Sequence, residues 1–342
     1  MKLPKVTIII PFKELSKIVE KCITECQKQD YKNYEILLLP DNKLEKDFKK
    51  CRVIPTGPIY PSEKRNIGVK ESDSQIIAFI DSDAYPDSKD WIKNTIPFFQ
   101  DKEVAAVGGP NHVPPKTSLL EKTSADVIYS NLCAGGNYPI RKYKIKGTYE
   151  YKEIATSNLF VRKDIFEEIG GFDPYQLTSE DSKLCFNINK KQKKVIFTPN
   201  VAVYHKRRPL FWPHTKRVFT EGRNKAFLFK ESFSFDKLFY FLPSLFVLGV
   251  VIGFILALYS DITKWIYLMI ITIYLLIVFK ESIKLKPIRR SIYVFIGIIL
   301  THLSYGSGFI KGILTNKYQL KKQDQLRRVK EQKWKYQWNT SQ

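Results

Sequence analysis

Two aspartates with one residue between them, Asp81 and Asp83, directly follow the unbroken apolar run Ile76–Ile80. A run this short predicts a strand that is buried on both faces, as in the middle of a parallel sheet. Ligands of open α/β sheets bind beyond the carboxyl ends of such strands. Since no lysine or arginine is adjacent in sequence to neutralise the two carboxylates, we expect them to hold Mg²⁺ or Mn²⁺ together with a phosphate-bearing substrate. A turn or helix-capping pair is the structural alternative.

A second pair of acids, Glu180 and Asp181, follows Ser179 at the start of a segment with helical spacing. The pattern resembles a capped helix start, and the helix dipole also favours acids in a first turn, so a structural explanation is available. In the functional interpretation, a carboxylate facing the metal site acts as a general base and accepts a proton from an attacking hydroxyl.

Three further polar positions have both a functional and a structural interpretation. Arg65 could offer a planar donor fork to a metal-bound diphosphate, or could lie with Asn66 on an ordinary helix surface. Asp41, which follows the second predicted strand, contacts a base or ribose or only turns the chain. His205 ends the strand-like run 201–204 and is either a metal or phosphate ligand or a packed or surface histidine.

Strands alternate with helical segments through the first two thirds of the chain. We predict strands over residues 6–11, 34–39, 52–55, 76–80 and 104–108, and helical segments over residues 16–29 and from residue 64 onward. This alternation indicates βαβ units and therefore an α/β domain with a mostly parallel, Rossmann-like sheet.

The charge of the chain calls for an anionic partner. Its 342 residues carry a net charge of +22, with a pI near 9.6, and nucleic acid and the anionic cytoplasmic membrane surface are the two candidates. The five cysteines are scattered, and Cys22 and Cys26 lack the matching second pair that a zinc site needs. We therefore expect reduced thiols in the cytoplasm, and no secretory signal peptide before the first strand.

The last third of the chain is apolar enough for a membrane. Residues 238–258 and 264–280 form two apolar runs that suit a bilayer core of about 30 Å, which needs about 20 residues per helix. The basic stretch 280–290 then lies inside by the positive-inside rule, which makes the two runs a hairpin. We predict a cytoplasmic domain over residues 1–235, a membrane domain over 236–314 and a basic cytoplasmic tail over 315–342.

A third apolar segment, residues 291–314, is interrupted by His302 and by the polar run 304–308. A full third span would place the basic tail outside the cell, against the positive-inside rule. We therefore expect a re-entrant or interface-lying segment, or a span whose polar middle is buried against protein.

Basic and aromatic side chains alternate just before the first predicted span. The spacing of the apolar positions predicts an interfacial amphipathic helix within residues 207–235. Nucleic-acid binding is the alternative, and we disfavour it because proteins of that kind seldom carry a transmembrane hairpin. Four arginines of the segment could also clamp a pyrophosphate leaving group or a lipid phosphate. They are Arg207, Arg208, Arg217 and Arg223.

Together these motifs resemble the inverting family 2 glycosyltransferases with the GT-A fold, many of which carry a C-terminal membrane hairpin. The resemblance covers roughly residues 5–229. Its matching pieces are, in order, residues 7–11, Lys64-Arg65-Asn66-Ile67-Gly68, Asp81-Ser82-Asp83, residues 170–173 and Ser179-Glu180-Asp181.

The resemblance implies a donor side. In it, Asp41 recognises the nucleoside, Asp81 faces the ribose and the metal, and Asp83 binds Mn²⁺ or Mg²⁺ on the diphosphate. His205 falls where some members place a further metal or diphosphate ligand. The implied donor-binding set also takes in the motif residues Pro11, Lys64, Arg65 and Asn66 together with the four arginines.

The resemblance also implies an acceptor side, with Asp181 as catalytic base and Glu180 beside it. Two departures matter. The second strand ends in the single acid Asp41 where two are common, and the Gln-x-x-Arg-Trp motif of processive polysaccharide synthases is absent from the sequence. The second departure argues against a processive enzyme.

The expected activity is transfer of a sugar from a nucleotide-diphosphate-sugar to a hydroxyl of a membrane-associated acceptor, for which a lipid-linked saccharide is the expected class, in the synthesis of a cell-surface glycan. A polyprenyl-phosphate hexose synthase, which needs no base because its acceptor is already anionic, is one alternative. A basic membrane scaffold with an inactive site and a nucleic-acid-binding membrane protein are the others, and we expect no nucleic-acid partner.

Overall fold

The structure, a computed structural model, describes residues 3–133, 147–175, 179–231, 235–284 and 288–318. The chain forms two compact units. The sheet unit comprises Met1–His112, Tyr143–His205 and Asn316–Gln342, and the helical unit comprises Val113–Lys142 and Lys206–Thr315. The predicted basic tail, residues 315–342, lies outside the described residues from residue 319 onward.

Short strands and helices alternate along the chain. The strands are β1 (Val6–Pro11), β2 (Tyr34–Leu39), β3 (Cys51–Val53), β4 (Ile76–Phe79), β5 (Ala84–Pro86), β6 (Val104–Gly108), β7 (Asn111–His112), β8 (Tyr149–Glu150), β9 (Leu159–Arg162), β10 (Lys194–Phe197) and β11 (Val203–His205). The helices are α1 (Lys17–Gln27), α2 (Pro61–Lys70), α3 (Leu119–Tyr129), α4 (Lys163–Glu168), α5 (Glu180–Lys190), α6 (Trp212–Glu231), α7 (Leu242–Ala257), α8 (Asp261–Ser282) and α9 (Ile288–Leu314).

The sheet unit is built on an eight-stranded sheet in the order β3-β2-β1-β4-β9-β6-β10-β8. The pairs of β1 with β2 and β4, of β2 with β3 and of β6 with β10 are parallel. Strand β9 runs antiparallel between β4 and β6, and β8 is antiparallel to β10. The prediction of an α/β domain with a mostly parallel sheet is confirmed, and β9, which the sequence analysis did not predict, makes the sheet mixed.

Both faces of the sheet are covered, as the unbroken apolar runs of its strands require. Ile8 and Ile10 of β1 pack on one face with Cys22 of α1. Ile9 points to the other face, where Val69 of α2 and residues of α4 and α5 complete a second core. Every residue of β4 is buried, as its sequence predicted.

Among its described residues, the helical unit contains three helices that are long and apolar enough to cross a membrane. They cover Leu238–Ala257, Asp261–Ser282 and Ile288–Leu314. The first two correspond to the predicted runs at 238–258 and 264–280. The third, α9, is continuous through the polar stretch at which we expected an interruption.

Small residues explain why α9 stays helical there. A Cβ atom added to Gly308 would lie 2.0 Å from the carbonyl oxygen of Phe219, and one added to Gly312 would lie 2.3 Å from that of Arg223. Glycines four residues apart therefore let α9 approach the backbone of α6 closely, as in membrane helix pairs. Thr301 and Gly306 are also buried, so the polar middle of the segment is buried against protein.

Polar side chains inside the helical unit are paired with one another. His214 of α6 accepts or donates at both ring nitrogens, 2.9 Å from the Ser124 hydroxyl and 2.8 Å from the Thr301 hydroxyl. Burial lowers the pKa of His214 to about 4, so the ring is neutral at pH 7. Asp126 of α3 binds Arg290 at the start of α9 through both carboxylate oxygens.

Two smaller expectations can be checked as well. The segment predicted to be an amphipathic helix is helical over Trp212–Glu231, with Val218 and Ala226 buried and Arg217 exposed. All five cysteines are free, as expected for reduced thiols.

Candidate active site

The aspartates of the Asp-x-Asp motif meet His205 just beyond β4. Strand β5 follows them directly and pairs antiparallel with β11, which sets His205 opposite Ala84. His205 Nε2 lies 3.2 Å from Asp83 Oδ1, and one ligand atom from each of Asp81, Asp83 and His205 lies within 4.8 Å of the others. The pairing of two short strands thus assembles three possible metal ligands from distant parts of the chain.

The donor atoms of this cluster fit a divalent cation. Two of the three ligands are carboxylates, which suit both Mg²⁺ and Mn²⁺. The third is an imidazole, which Mn²⁺ accepts as a ligand. The Asp83 side chain is 46% exposed, so the cluster is open to a substrate. His205 Nδ1 is buried and has no hydrogen-bond partner among the described residues, whereas Nε2 faces the carboxylate.

Arg65 overturns the expectation that the two aspartates are bare. Its Nη2 lies 2.5 Å from Asp81 Oδ1, and its Nη1 lies 2.8 Å from Glu180 Oε1. The Arg65 side chain is only 3% exposed. Burial by itself would lower the pKa of Arg65, but the charges of Asp81 and Glu180 outweigh burial and raise that pKa above its ordinary value. One guanidinium therefore joins the two acidic motifs, which belong to the same site.

The start of helix α2 fixes Lys64 and Arg65. Pro61 occupies its first turn, and the Glu63 carboxylate accepts a hydrogen bond from the Tyr60 backbone N–H at 3.3 Å. A Cβ atom at Gly68 would lie 2.9 Å from Ile9 Cδ1, so glycine lets this helix lie directly on the sheet. These features place the two basic side chains at the carboxyl ends of the central strands.

Lys64 ties the candidate nucleoside contact to the sheet. Its Nζ donates to Asp41 Oδ1 at 2.6 Å and to the carbonyls of Phe12 and Leu39 at 2.6 and 3.1 Å. The Asp41 side chain is 9% exposed. Pro11, a further predicted donor-binding residue, ends β1 and is buried. Pro11 ends β1, and Asp41 follows the neighbouring strand β2; donor binding by the two residues stays a prediction.

The second acidic motif opens α5, as predicted, but Ser179 does not cap the helix through its side chain. Ser179 has a φ of 62° and a ψ of 23°, the left-handed region that non-glycine residues seldom adopt. The Asp181 Oδ1 atom instead accepts a hydrogen bond from the Ser182 backbone N–H at 2.8 Å. The helix start that the sequence suggested is present, and its backbone enters through a left-handed residue.

Asn66 exchanges two hydrogen bonds with the loop at residues 170–173. Its Nδ2 donates to the Phe172 carbonyl at 2.7 Å, and its Oδ1 accepts from the Phe172 N–H at 3.0 Å. Gly171, at a φ of 66°, leaves room for this exchange because a Cβ atom there would lie 2.9 Å from Asn66 Oδ1. Asn66, predicted to bind the donor, holds the loop that leads to the acids.

The four arginines of the predicted clamp all belong to the helical unit. Arg207 donates to the Tyr129 hydroxyl at 2.5 Å and its guanidinium lies 5.3 Å from the centre of that ring. Arg208 and Arg217 are exposed and Arg223 is half-buried. Their contact with a pyrophosphate or a lipid phosphate stays a prediction.

The sequence analysis gave no individual role to three polar residues of this region, which are Asp173, Lys183 and Lys317. Asp173 accepts ion pairs from Lys183 and Lys317, although Asp173 itself ends the Gly-Gly-Phe-Asp motif. Lys317 is 144 residues away from Asp173 in the chain and belongs to the predicted basic tail, so no local sequence pattern points to this contact.

Comparison with known proteins agrees with this geometry. Residues 7–170 match the model of the family described as glycosyl transferase family 2. The chain is 26% identical over 336 residues to a dolichyl N-acetyl-alpha-D-glucosaminyl phosphate 3-beta-D-2,3-diacetamido-2,3-dideoxy-beta-D-glucuronosyltransferase from Methanococcus voltae, a match that covers 90% of this chain and 97% of that one. It is 24% identical over 242 residues to glycosyltransferase AglE from Haloferax volcanii, covering 65% of this chain and 73% of the relative.

The fold is also found among solved structures. Mannosyltransferase PcManGT from Pyrobaculum calidifontis, in complex with GDP-Man and Mn²⁺, aligns with a TM-score of 0.59 at 14% identity. The alignment covers 88% of this chain and 87% of that one. At this identity the likeness concerns the fold, and it agrees with the GT-A architecture expected from the motifs.

Proposed function

The chain belongs to glycosyl transferase family 2 through residues 7–170, and from that membership we propose the following reaction. The protein transfers a sugar from a nucleoside-diphosphate-sugar, with inversion at the anomeric carbon, to a hydroxyl of a lipid-linked saccharide. One observation carries the proposal. Arg65 binds Asp81 of the Asp-x-Asp motif and Glu180 of the second acidic motif at the same time, so that both motifs serve one reaction.

Asp81, Asp83 and His205 would hold the divalent cation, Mn²⁺ or Mg²⁺, and their mutual closeness supports this assignment. When bound, the cation supplies positive charge that offsets the charge of the departing nucleoside diphosphate. The complex of PcManGT with GDP-Man and Mn²⁺ supports the same class of donor and metal for this chain.

Lys64 and Asp41 prepare the nucleoside side of the donor. Lys64 has three acceptors, so it holds the Asp41 carboxylate in one orientation at the end of β2. A fixed carboxylate accepts hydrogen bonds from a base or a ribose without first losing side-chain freedom. Pro11 ends the neighbouring strand and lines the same edge.

Asp181 acts as the general base. The Glu180 carboxylate is paired with Arg65, and we therefore assign the role of base to its neighbour. Asp181 takes the proton of the acceptor hydroxyl while the hydroxyl oxygen bonds to the anomeric carbon from the face opposite the leaving group. The bond from that carbon to the diphosphate breaks, and the electron pair leaves with the nucleoside diphosphate.

The acceptor class is supported by the relative from Methanococcus voltae, which is named for transfer to a dolichyl-linked N-acetylglucosaminyl phosphate. The helical unit supports a lipid-bound acceptor as well, because its helices α7 and α8 expose large apolar side chains along their length. An enzyme held at the membrane meets such an acceptor where its lipid is anchored.

The path of the chain supports a topology with two crossings. The described chain leaves the sheet unit at His205 and returns to it at Asn316, so the segment between them crosses a membrane an even number of times. Helices α7 and α8 supply two crossings. In α9, 39% of the most apolar 18-residue stretch is buried inside the protein, against 6% in each of the other two helices. With two crossings already supplied, α9 then lies at the membrane interface. The basic residues 280–290 support the cytoplasmic side for the sheet unit.

Thermal unfolding with nucleoside diphosphates, with and without Mn²⁺, tests the donor site. A ligand at about 100 times its Kd stabilises a protein by about 2.7 kcal/mol, and we expect this stabilisation only with metal and nucleotide together.

Transfer assays with purified Asp181→Asn then test the base. Transfer to a hydroxyl should be abolished while the nucleotide-dependent stabilisation persists. Unchanged turnover on a lipid phosphate acceptor would instead favour the polyprenyl-phosphate synthase.

Cysteine labelling tests the topology. Ser260→Cys, between α7 and α8, and Thr315→Cys, after α9, are introduced into a variant whose native cysteines are replaced. An impermeant maleimide should label the two positions from opposite sides of sealed vesicles. Labelling from the same side would contradict the two-crossing arrangement.

A further inference from the structure

The residues that follow α9 dock on the loop that leads to the second acidic motif. Within the sheet unit, Lys317 Nζ lies 3.1 Å from Asp173 Oδ2. The next residue, Tyr318, contacts Tyr175 edge to face, with ring centres 4.7 Å apart and planes at 65°. The end of the described chain therefore makes both a charged and an aromatic contact with the loop formed by residues 171–175.

The Asp173 carboxylate is where these contacts converge. Its side chain is 13% exposed and that of Lys317 is 10% exposed, so this ion pair is far more buried than an ordinary surface pair. Lys183 of α5 donates to the same oxygen at 2.6 Å, and the Tyr175 N–H donates to the other at 2.8 Å. Burial by itself would raise the pKa of Asp173, but these donors lower it below its ordinary value.

The other end of the loop touches the metal side of the site. Phe172 exchanges two hydrogen bonds with Asn66 and packs on Phe79 of β4 at 5.0 Å between ring centres. The Arg65 guanidinium lies 5.7 Å from the Phe172 ring centre. Residues 171–175 thus contact the side of the site that holds Arg65 and, through the pair of Asp173 with Lys183, the helix that carries Asp181.

We propose that Lys317 and Tyr318 are positioning residues for the acceptor side of the site. They hold Asp173, and Asp173 holds Lys183, which stands two residues after Asp181 in the first turn of α5. The base is therefore oriented by a segment that follows the last apolar helix. This inference rests on the proposed function, and it adds that the site is incomplete without the C-terminal segment.

Steady-state kinetics of the full-length protein provide the first test. A small displacement of a reacting group costs up to about 100-fold in rate, so Lys317→Ala should lower kcat or raise the acceptor KM by about tenfold or more. Lys317→Arg should restore most of the loss. Stabilisation by Mn²⁺ with nucleoside diphosphate should stay unchanged, because Lys317 pairs with Asp173, which is not one of the proposed metal ligands. Lys191→Ala removes an exposed pair with Glu168 at 2.7 Å and is the matched control.

A double-mutant cycle tests whether Lys317 acts through Asp173. In an Asp173→Asn background, Lys317→Ala should add less than about twofold to the kinetic loss, because the shared interaction is already gone. Two independent, multiplying effects would overturn the route through Asp173. Unchanged kcat and acceptor KM in Lys317→Ala would overturn the positioning role.

Hydrogen exchange gives a readout that does not depend on turnover. Amides of residues 171–175 and of the first turn of α5 should exchange faster in Lys317→Ala and in Tyr318→Ala, but not in Lys191→Ala. Unchanged exchange in both variants would overturn the proposed docking.

If the wild-type protein transferred no sugar from any donor, the proposed function would fail. The exchange rates alone would then decide whether the C-terminal segment holds the loop.

Discussion

The acid cluster of the sheet unit and the polar groups inside the helical unit are paired in different ways. In the sheet unit, one guanidinium is shared between Asp81 and Glu180, and the Asp81 side chain remains 30% exposed. In the helical unit, His214 is 2% exposed and has a hydroxyl at each ring nitrogen.

The difference indicates that the acid cluster of the sheet unit can bind ligands, whereas the polar groups of the helical unit stabilise its packing. A carboxylate that shares its only arginine and faces solvent retains acceptor capacity for a cation or a hydroxyl. A neutral imidazole between two hydroxyls has no capacity left, and it links three helices instead. Substitutions of the exposed acids in the first region should therefore change chemistry at nearly constant stability, and substitutions in the second region should change stability at constant chemistry.

Replacing Asp83 by alanine should give the largest effect in the first region. Even partners of metal ligands, which do not touch the metal, typically contribute 10- to 100-fold, so loss of this candidate ligand should lower turnover by at least about 100-fold. The Asp83 side chain is 46% exposed, so the unfolding temperature should hardly change. Sugar transfer and thermal unfolding are measured with and without Mn²⁺. A variant that retains metal-dependent nucleotide binding would contradict the assignment of Asp83 as a ligand.

Replacing Gly308 by leucine should give the largest effect in the second region. A Cβ atom at this position would lie 2.0 Å from the Phe219 carbonyl oxygen, and backbone cannot yield as a flexible side chain can. Helices α6 and α9 must separate, and we expect a loss of several kcal/mol, of the size seen when a packed core is disrupted.

Gly249→Leu is the matched control, because nothing lies within 4 Å of a Cβ atom added to Gly249. The yield of folded protein and its unfolding temperature in detergent are the measurements. If Gly308→Leu unfolds at the temperature of the control, the close approach of the two helices does not support the unit.

The same contrast explains how far the sequence could be interpreted. The buried strand β4, the acids beyond it and the apolar helices follow from local runs of side chains, which set strand burial and helix length directly. The ion pair of Arg65 with Glu180 joins residues 115 positions apart, and no local pattern encodes a contact of that kind.

Two errors have physical causes of this type. Asp81 was expected to be bare because sequence neighbours were the only neighbours visible, and the cation that pairs with it comes from α2. The strand β9 was not predicted because it is only four residues long and enters the sheet antiparallel, against the βαβ pattern. His205 was weighed evenly as ligand or packed residue, since its distance from Asp83 depends on how β11 pairs with β5.

Arg65→Lys should give an intermediate effect. It tests whether the two acids need the forked guanidinium or only a positive charge. A lysine ammonium is a point charge that cannot present two nitrogen atoms in a fixed fork to two carboxylates. We expect turnover to fall by about 10- to 100-fold and stability to fall as well, because one acid is left without its buried partner.

Arg162→Lys is the matched control for that variant. The Arg162 side chain donates to backbone carbonyls, including that of Val104 at 2.9 Å, and among the described residues it pairs with neither acidic motif. It should lose stability without losing turnover. Equal kinetic losses in the two variants would show that the bridge between the acids has no particular role.

The smallest expected effect is a pH dependence that belongs to the helical unit. The folded protein holds the pKa of His214 at about 4, below the value of about 6.5 in an unfolded chain. The unfolded state therefore binds a proton first, and the stability due to the neutral ring is complete above about pH 6.5 and declines as the pH falls toward 4. Linkage puts the loss between pH 7 and pH 5 at about 2 kcal/mol.

His214→Gln removes the titrating group and keeps hydrogen-bonding capacity toward Ser124 and Thr301. Between pH 7 and pH 5, the unfolding temperature should therefore fall less in this variant than in the wild-type protein. The affinity for Mn²⁺ should be the same in both proteins at each pH, since the variant leaves the metal ligands unchanged. Equal slopes of unfolding temperature against pH would show that the charge state of His214 is not what the helical unit responds to, and the contrast between the two regions would then rest on the glycines alone.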